Sequence, residues 1–527
     1  MHKNTILFIG LLVLLVLGIM AISDKGGAPA PAPVKKPMST RTQIVDVANG
    51  STYELVASEV THTIDGKNVT MLAYNGMIPG PTLRVHEGDQ VTIRFINKMN
   101  MPTLLHSHGV RMDSPFDGSQ LSQKDILPGE SFDYALKFPD AGVYWYHPHI
   151  REDKQQNMGL YGNFIVIPKE EGYWPQVHHE ETLFLSDVLM EDGAIAPYSD
   201  KFVTHALMGR FGNTLLVNGK TSAEIQGEPG EVHRFFVTNA ATTRTFNFGI
   251  AGTKMKLIGG DNGRYEKETF VDSVVLAPSE RAVVDVYFEK AGTFALEHTT
   301  PTKTYTLGRV SVSGEAPAVS LESQFKTLRT NKAETTAFMD LRHHLSREPD
   351  KTLRLTLTSD MATIMGYSGA MGGGHDHGSG QAMPGMSGMN AGTGVAPIEW
   401  EDDMGAMNVY STSETVKWIL HDEATGLENM DIDWKFKMGD MVKIRLVNDP
   451  SSMHPMQHPI HFHGNRFVVL STNGTPNDNM VWKDTTLIRA GETMDIVLEA
   501  TNPGKWMAHC HIAEHLHSGM MLGYTVE

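Results

Sequence analysis

The stretch Glu87-Gly-Asp-Gln-Val-Thr-Ile-Arg-Phe-Ile-Asn97 decides the fold, because two similar stretches follow later in the chain. One is Glu228-Pro-Gly-Glu-Val-His-Arg-Phe-Phe-Val-Thr-Asn239, and the other is Met438-Gly-Asp-Met-Val-Lys-Ile-Arg-Leu-Val-Asn448. Each begins with a Gly-containing turn signal and continues as a short run of alternating apolar and polar residues, the pattern of a β-strand. The three stretches are therefore predicted to be the same strand of a repeated β unit.

Two further elements recur after each copy of this strand. They are the turns Pro128-Gly-Glu130, Pro278-Ser-Glu280 and Ala490-Gly-Glu492, and the segments Asp140-Ala-Gly-Val-Tyr144, Lys290-Ala-Gly-Thr-Phe294 and Asn502-Pro-Gly-Lys-Trp506. A chain of 527 residues has room for about three domains of roughly 150 residues. Because short strands between Gly and Pro turns are typical of β-sandwiches, we predict an all-β protein with three consecutive Greek-key β-sandwich domains, at 43–170, 178–315 and 350–527.

Four His-x-His pairs indicate metal chemistry. They are His106-Ser-His108, His147-Pro-His149, His461-Phe-His463 and His509-Cys-His511. Residues i and i+2 of a strand point to the same face, so each pair aims two imidazoles at one point. A single pair is more often a surface or hydrogen-bonded structural feature. Eight imidazoles together exceed what one copper or zinc ion binds, which predicts a metal cluster.

The middle copy of the repeat lacks these histidines. Phe246-Asn-Phe-Gly249 stands where the outer copies have His106-Ser-His-Gly109 and His461-Phe-His-Gly464, and Glu297-His-Thr299 stands in place of the other two pairs. We therefore expect the cluster to lie between the first and third domains, with the second domain as a spacer that binds no copper. The alternative, a separate metal site in the second domain at His178, His179, His205 or His233, has no supporting spacing.

The only cysteine of the chain, Cys510, lies between His509 and His511 and therefore points to the opposite face of their strand. It excludes an intramolecular disulfide framework and suits a second metal site. His458 precedes His461 by an odd offset and is also expected to face away from the cluster. Two imidazoles, a thiolate and a weak axial thioether are the ligands of a blue-copper site. The candidate ligands are His458, Cys510, His515 and Met520.

These segments resemble those of the multicopper oxidases, the family of laccases, ascorbate oxidase and bacterial copper-efflux oxidases. The matching motifs are His106-Ser-His-Gly109, Tyr146-His-Pro-His149, His458-Pro-Ile-His-Phe-His-Gly464 and His509-Cys-His-Ile-Ala-Glu-His-Leu-His-Ser-Gly-Met520, within a resemblance that runs from about Gln43 to the C-terminus. The resemblance implies cupredoxin-like domains. It also implies that electrons pass from a reducing substrate through the type 1 copper and Cys510 to a three-copper cluster that reduces O2 to water.

The resemblance further implies four copper ions with separate ligand sets. The type 1 copper would be bound by His458, Cys510, His515 and Met520; the type 2 copper by His106 and His461; and the type 3 pair by His108, His147, His149, His463, His509 and His511. Asp117 matches the acid of the family near the cluster and is expected to relay protons. The alternative is a turn residue before Gly118. Many bacterial members carry a second acid where this chain has Leu516, flanked by Glu514 and His517, so the second proton donor is left open.

The segment 361–395 is an insertion in the third domain. It is rich in methionine, with His375 and His377, and Gly and Ser fill most of the remainder, so a flexible loop is predicted. Thioethers are soft ligands that suit Cu(I), and copper-efflux oxidases carry a similar, longer insertion; an inert low-complexity loop is the alternative. His454 and Met456 stand where that family has an acid and a methionine that bind substrate copper. The candidate Cu(I) ligands are Met361, Met365, His454 and Met456.

The N-terminus predicts export. Residues 1–25 hold an apolar run flanked by charges, the pattern of a signal peptide or an uncleaved signal-anchor, and 26–42 form an Ala/Pro-rich linker. We expect an extracytoplasmic protein, periplasmic or secreted, with membrane anchoring as the alternative to cleavage. The net charge of −17 argues against a nucleic-acid partner and is compatible with cationic substrates. A monomer is expected.

The sequence thus predicts an exported, laccase-like oxidase that oxidises phenolic or aromatic donors or Cu(I) and reduces O2 to water. A dedicated cuprous oxidase, or a copper-tolerance protein that captures copper with its methionine-rich loop, is the alternative. A two-domain copper nitrite reductase is disfavoured because that class lacks two complete His-x-His pairs in each of two terminal domains. A family member reduced to a scaffold is disfavoured because all twelve candidate copper ligands are present.

Overall fold

The computed structural model describes residues 36–360 and 398–527. The chain divides into a short N-terminal unit, Met1–Pro37, and a main body, Met38–Glu527, whose fold is given below. The predicted export segment 1–25, most of the linker 26–42 and the insertion 361–395 lie outside the described residues. Within the described ranges no helix is long and apolar enough to cross a membrane.

Nine strands form the first sandwich. They are β1 (Ile44–Asp46), β2 (Thr52–Ile64), β3 (Lys67–Tyr74), β4 (Thr82–His86), β5 (Gln90–Asn97), β6 (Leu105–His108), β7 (Ser131–Lys137), β8 (Gly142–Pro148) and β9 (Gly162–Ile167). One sheet has the order β1-β4-β9-β8-β6 and the other β3-β2-β5-β7. The repeat strand β5 pairs in parallel with β2 and antiparallel with β7.

The middle sandwich contains thirteen strands. They are β10 (His179–Val188), β11 (Met190–Glu191), β12 (Ala194–Ile195), β13 (Thr214–Val217), β14 (Ala223–Gly227), β15 (Glu231–Asn239), β16 (Phe246–Ile250), β17 (Met255–Gly260), β18 (Gly263–Val271), β19 (Ser273–Leu276), β20 (Arg281–Phe288), β21 (Gly292–Thr299) and β22 (Thr304–Val312). Its sheets run β13-β10-β15-β20-β17-β18 and β14-β22-β21-β16-β19, beside the pair β11-β12. The repeat strand β15 again has one parallel neighbour, β10, and one antiparallel neighbour, β20.

The third sandwich follows the same plan. Its strands are β23 (Lys351–Ser359), β24 (Val416–Asp422), β25 (Asp433–Phe436), β26 (Asp440–Asn448), β27 (His458–Phe462), β28 (Arg466–Thr472), β29 (Thr475–Pro476), β30 (Thr485–Ile488), β31 (Thr493–Ala500), β32 (Gly504–Cys510) and β33 (Met521–Val526). The sheets run β24-β23-β26-β31-β28-β29 and β25-β33-β32-β27-β30. The repeat strand β26 pairs in parallel with β23 and antiparallel with β31. The predicted all-β fold of three sandwiches is confirmed.

Helices are few and short among the described residues. They are α1 (Glu152–Gln155), α2 (Glu322–Lys326), α3 (Lys332–Leu341), α4 (Gly405–Tyr410) and α5 (Ala513–His517), with 3-10 turns at Ser114–Phe116, Arg342–Ser346 and Asn429–Asp431. Two of them, α1 and α5, begin a few residues after a His-x-His pair and contact each other. They therefore enclose the ends of the strands that carry the histidines.

The asparagine that ends each repeat strand explains why the three copies share a local fold. Asn97, Asn239 and Asn448 are all buried. Each side-chain amide donates to one backbone carbonyl in the loop that follows and to one at the turn before the next sheet strand, at 2.7 to 3.0 Å. Because buried backbone carbonyls need a donor, this residue fixes the path of the loop that leads into β6, β16 or β27.

One continuous apolar core joins the first and third sandwiches, whereas the middle sandwich has a core of its own. Phe95 and Leu105 of the first sandwich belong to the same buried cluster as Trp506 and Cys510 of the third. The outer two sandwiches are thus packed against each other, although the middle one separates them in sequence. This places β6 and β8 beside β27 and β32.

Candidate metal centres

Strand register places the four His-x-His pairs on two facing surfaces. In the first sandwich β6 pairs with β8 so that His106 lies opposite His147. In the third, β27 pairs with β32 so that His461 lies opposite His509. Opposed residues of paired strands point to the same face, so each strand pair presents four imidazoles. We call the set the eight-histidine cluster: His106, His108, His147, His149, His461, His463, His509 and His511, each at most 6 % exposed.

The histidines of the two sandwiches meet directly. The rings of His108 and His461 stack with centroids 3.7 Å apart, and those of His106 and His463 lie 4.1 Å apart. The Nε2 atom of His509 lies 3.0 Å from Nε2 of His463 and 3.4 Å from Nε2 of His149. The structure therefore brings all eight predicted residues to one place between the outer sandwiches.

Hydrogen bonds fix which nitrogen of each ring is free. Four rings donate from Nδ1 to a backbone carbonyl at 2.7 to 2.8 Å; these are His106, His147, His461 and His509. Among the described residues, Nε2 of His106, His147, His461 and His511 has no hydrogen-bond partner. A proton held on one nitrogen leaves a lone pair on the other, which is how proteins orient histidines for metal binding.

His108 has the opposite arrangement. Its Nε2 lies 2.9 Å from Oδ1 of Asp484 and 3.0 Å from the hydroxyl of Thr485, while its Nδ1 has no partner in the described part of the chain. The ring therefore donates from Nε2 and keeps the lone pair on Nδ1. His108 thus joins the cluster through a different atom from its neighbours.

Burial favours the neutral form of most imidazoles in the cluster. It lowers the pKa of seven of the eight rings, and neighbouring imidazoles lower most of them further; the seven are His108, His147, His149, His461, His463, His509 and His511. Neutral imidazoles with inward-facing, unpartnered nitrogens form a strong donor set for a borderline metal ion. This donor set fits copper, and the buried lone pairs are otherwise costly.

The second centre, which we call the cysteine site, contains the buried residues His458, Cys510 and His515. Met520 is buried next to it, and its backbone carbonyl accepts from the N–H of Cys510 at 3.1 Å. The Cys510 sulfur lies 3.6 Å from Nδ1 of His458 and 3.8 Å from Nδ1 of His515, and the two nitrogens are 3.3 Å apart. The backbone N–H of Ile512 also points at the sulfur, at 3.4 Å. Burial raises the pKa of the Cys510 thiol, so a thiolate here requires a bound cation. Two imidazoles and a sulfur at this spacing fit copper.

Trp418 covers the imidazoles of the cysteine site. Its ring lies 4.1 Å from that of His515 and 4.8 Å from that of His458. The indole N–H donates to the backbone carbonyl of Ala206, in a loop of the middle sandwich. The middle sandwich therefore supports the cysteine site, a contact that the sequence repeat does not predict.

Asp117 lies against the eight-histidine cluster. Both carboxylate oxygens are 3.0 Å from Nδ1 of His463, and the backbone carbonyl accepts the Nδ1 hydrogen bond of His106. Burial by itself raises the pKa of Asp117, but His463 and His106 more than offset it and hold the pKa well below its usual range. Asp117 therefore places a charged carboxylate at the cluster. Its carboxylate orients His463 of the third sandwich, and its backbone carbonyl orients His106 of the first.

A second acid at the cluster was not predicted. Glu152 of α1 is buried, with Oε1 3.1 Å from Nδ1 of His149 and Oε2 2.6 Å from Nε2 of His517. Burial raises the pKa of Glu152, but His517 and His149 outweigh it and bring it to about 2. Glu152 thus supplies a buried carboxylate at the cluster. Leu516, which stands at the position of the family's second acid, supplies none. The i, i+3 spacing from His149 was the available signal.

Glu514, next to the ligand candidate His515, is buried and almost without partners. The Thr243 hydroxyl donates to Oε2 at 2.9 Å, and Oε1 has no hydrogen bond within the described residues. Burial, followed by the charge of Asp153, raises the pKa of Glu514 to about 8. The side chain is therefore protonated at neutral pH, in contrast to Asp117 and Glu152.

This difference predicts a pH effect on stability. The Glu514 pKa of about 8 lies above the ordinary 4.5, so the folded protein binds the extra proton between these values and wild-type stability falls as pH rises through that window. Glu514→Gln cannot ionise and keeps an oxygen for Thr243. From pH 5 to pH 9 the variant should gain roughly 3–5 kcal/mol relative to wild type. Melting temperatures of both proteins across this range test it; parallel pH profiles would contradict it.

The candidate substrate residues lie partly within the described chain. Met456 is buried in the same core as Cys510 and Met520. Burial lowers the pKa of His454, against an opposing effect of Asp403, and its Nε2 has no hydrogen-bond partner among the described residues. His454 also lies close enough to His458 to help burial lower the pKa of that ring to about 3. Met361 and Met365 lie outside the described residues.

The middle sandwich has phenylalanines where the outer two have histidines. Strand β16 pairs with β21 as β6 pairs with β8, and Phe246 and Phe248 of β16 are fully buried. His298 of β21 is buried as well and accepts a hydrogen bond from the backbone of Asn247. Two of the four candidates for a separate metal site in this sandwich, His179 and His233, both hydrogen-bond to the Glu231 carboxylate.

The fold and the two donor sets are those of a cupredoxin-like copper protein. Comparison with known proteins agrees: family models described as multicopper oxidase match residues 56–171, 177–312 and 403–527. The chain is 26 % identical to the multicopper oxidase MmcO of Mycobacterium tuberculosis over 494 residues, covering 87 % of this chain and 83 % of the relative. It is 24 % identical to copper resistance protein A of Escherichia coli over 598 residues, covering 91 % and 93 %.

A solved structure is similar over nearly the whole chain. It is a multicopper oxidase from Campylobacter jejuni described as a metallo-oxidase, with a TM-score of 0.67, 26 % identity and coverage of 94 % of this chain and 98 % of that one. The chain belongs to the multicopper oxidase family. It is therefore a copper-binding oxidoreductase that uses O2 as acceptor and a reducing substrate as donor.

Proposed function

We propose that this protein is a laccase-like oxidase that takes single electrons from phenolic or aromatic donors or from Cu(I). The observation that carries the proposal is the pairing of a complete eight-histidine cluster with a cysteine site on the same strand, β32. His509 and Cys510 lie on that strand and His511 follows it. Cys510 and both flanking imidazoles are thus joined by a short path of covalent bonds, which suits electron transfer between two centres.

The ligand sets follow the family pattern. We assign the type 1 copper to the cysteine site, the type 2 copper to His106 and His461, and the type 3 pair to His108, His147, His149, His463, His509 and His511. The free nitrogens support this assignment: Nδ1 in His108 and Nε2 in His106, His147, His461 and His511. Four copper ions per chain are expected. Bound copper would supply one-electron uptake at the cysteine site and the reduction of O2 to water at the cluster.

The chain's own groups handle orientation, water exclusion and protons. Asp117 accepts from His463 Nδ1 and is placed to pass protons towards the cluster. Glu152 and His517 form an ion pair, with Oε2 2.6 Å from Nε2, beside His149. We propose Asp117 and Glu152 as the proton-handling groups of the protein. The shared core of the outer sandwiches keeps bulk water from the imidazoles.

A dedicated cuprous oxidase is the second candidate, and the surroundings of His454 favour it. His454 lies near Asp403, and the neighbouring Glu399 has its pKa raised to about 7 by burial and by the Asp403 charge. An imidazole with an unpartnered nitrogen near the Asp403 carboxylate would attract a cation. With the buried Met456 two residues further on, His454 is a candidate entry point for substrate Cu(I), together with the proposed ligands Met361 and Met365.

One experiment tests the overall proposal. Purified protein should contain about four coppers per chain, show an intense blue colour and consume O2 with a phenol and with Cu(I). Copper counting, visible absorption and oxygen uptake measure these properties. A preparation that binds no copper after reconstitution would favour a scaffold, and turnover of Cu(I) without phenol would favour the dedicated cuprous oxidase.

Deleting 371–389 tests the role of the insertion. The deletion removes soft ligands from a loop, and loop length costs little closure entropy, so the fold and the coppers should remain. Oxidation of Cu(I) at low copper concentration should fall, while oxidation of a bulky phenol should hold or rise. Steady-state rates with both donors measure this effect.

The matched control keeps the length of the loop and replaces Met371, Met383, Met386 and Met389 with serine. If it behaves like the deletion, the thioethers matter and not the bulk of the loop. Unchanged rates in both variants would make the loop inert and the protein a plain laccase. A fall in Cu(I) oxidation only when Met456 is also replaced would place copper entry at His454 and Met456.

For the remaining features we propose three domains at 43–170, 178–315 and 350–527, and a monomer. Export to an extracytoplasmic location, periplasmic or secreted, rests on the sequence of 1–25, with an uncleaved anchor as the alternative. Fractionation and N-terminal sequencing of the native protein distinguish these outcomes.

A further inference from the structure

The middle sandwich approaches the eight-histidine cluster through the side chain of Arg281, at the start of β20. Arg281 is buried. Its Nε donates to the carbonyl of Val143 in the first sandwich at 2.9 Å, one Nη donates to the carbonyl of Ser279 at 2.9 Å, and its backbone N–H donates to Asp261 at 2.8 Å. The guanidinium is therefore held rigidly where the three sandwiches meet.

The same guanidinium also binds Asp484 of the third sandwich. Its two terminal nitrogens lie 2.7 Å from Oδ1 and 2.5 Å from Oδ2. Such a two-point contact defines the plane of the carboxylate, which a lysine cannot do. Burial lowers the pKa of Arg281, but the charges of Asp484 and Asp261 more than offset it, so the arginine is charged and its pKa is raised.

Asp484 in turn contacts one histidine from each outer sandwich. Oδ1 accepts from Nε2 of His108 at 2.9 Å, and the backbone carbonyl accepts from Nδ1 of His461 at 2.8 Å. Gly109, with φ +79°, follows His108, and a Cβ there would collide with Oδ2 of Asp484. The carboxylate therefore occupies space that the chain leaves open next to His108.

These contacts explain why His108 differs from the other histidines. The Asp484 carboxylate can only accept at Oδ1, so the proton of His108 is held on Nε2 and the lone pair is left on Nδ1. Without a fixed carboxylate, neither the tautomer nor the ring angle of His108 is determined by its own strand.

We propose that Arg281, in the sandwich that holds no copper ligands, is a positioning residue for the eight-histidine cluster. It orients Asp484 and thereby selects the His108 tautomer that presents Nδ1 to a metal. The inference rests on the proposed function, because it assumes that the cluster binds copper. It gives the middle sandwich a direct part in shaping the cluster.

Arg281→Gln and Arg281→Lys test the proposal, with Arg234→Gln as the matched control. Arg234 is equally buried in the same sheet and binds Asp285 at two points, 2.8 and 3.0 Å, and its hydrogen bonds go to Asp285 and Pro175. Loss of a buried arginine from the middle sandwich is thus common to both glutamine variants. Contact with Asp484 is lost only in the Arg281 variants.

The measurements are copper per chain during titration with Cu(I), the electron paramagnetic resonance spectrum of the type 2 copper, and the blue absorption of the cysteine site as an internal reference. In the Arg281 variants the blue absorption should remain. The affinity of the cluster for copper should fall by up to about 100-fold, the upper end of the loss seen when the direct hydrogen-bond partner of a ligand is removed. The type 2 spectrum should change because the backbone carbonyl of Asp484 holds His461, a proposed type 2 ligand. Arg234→Gln should match wild type in each respect.

Equal copper loss in Arg281→Gln and Arg234→Gln would overturn the inference, as would full copper and an unaltered spectrum in the Arg281 variants. If Arg281→Gln does not fold, Arg281→Lys, which keeps the buried charge but not the two-point contact, decides the question by the same criteria. Wild type that binds fewer than four coppers would overturn the proposed function itself. The two failures are therefore distinguishable.

Discussion

Cys510→Ser is expected to abolish the blue colour and all oxidation of phenols and Cu(I). A hydroxyl does not replace a thiolate as a copper ligand or as a path for electrons. Cys510 is fully buried between His458 and His515, so the smaller serine should be accommodated without unfolding. Visible absorption and oxygen uptake measure the result.

The variant also separates the two centres. The eight-histidine cluster loses no ligand, so about three of four coppers should remain by elemental analysis. Met520→Leu serves as a control that removes only the proposed axial ligand and should keep a blue colour. A Cys510→Ser protein that is still blue would refute the assignment of the cysteine site.

Asp117→Asn is expected to bind four coppers and to reduce O2 about a hundredfold more slowly or worse, the usual cost of losing a proton-transfer group. The amide has the same shape and can still accept from Nδ1 of His463, but it does not take up a proton. Single-turnover measurements, in which reduced protein is mixed with O2, isolate this step from oxidation of the donor.

The companion variant Glu152→Gln shows whether the effect is specific to one acid. Glu152 contacts His149 and His517 on the other side of the cluster. If Asp117→Asn turns over like wild type, Asp117 is a turn residue before Gly118 and an orienting partner of His463. In that case a slow Glu152→Gln would move the proton-handling role to Glu152.

The sequence predicts which candidate side chains come together, because their geometry is local. The i, i+2 spacing within β6, or across the end of β27, is enough to aim two imidazoles at one point. The odd offset of Cys510 is enough to send it to the other face. The threefold repeat also places the phenylalanines Phe246 and Phe248 correctly at the positions of histidines, which indicates that the outer sandwiches carry the cluster.

What the sequence does not predict is tertiary. His108 and Asp484 are 376 positions apart, and Arg281 and Asp484 are 203 apart. No periodicity in the sequence connects such residues. Arg281 lies in the middle domain, for which the absence of His-x-His pairs predicts only the role of a spacer. The raised pKa of Glu514 is not predictable from the sequence for a different reason. It depends on burial of the side chain, whereas glutamate is a residue type that is usually exposed.

Burial of the eight-histidine cluster has a consequence for how the protein acquires and keeps its metal. The imidazoles are at most 6 % exposed, and a shared apolar core surrounds the strands that carry them. We expect an ion to reach them mainly when the packing around the cluster opens locally, and such openings are rare in a packed interface. Copper should therefore enter and leave on the timescale of these openings. Chelators added to the folded protein would extract it slowly, at a rate set by local unfolding and not by the affinity of the chelator.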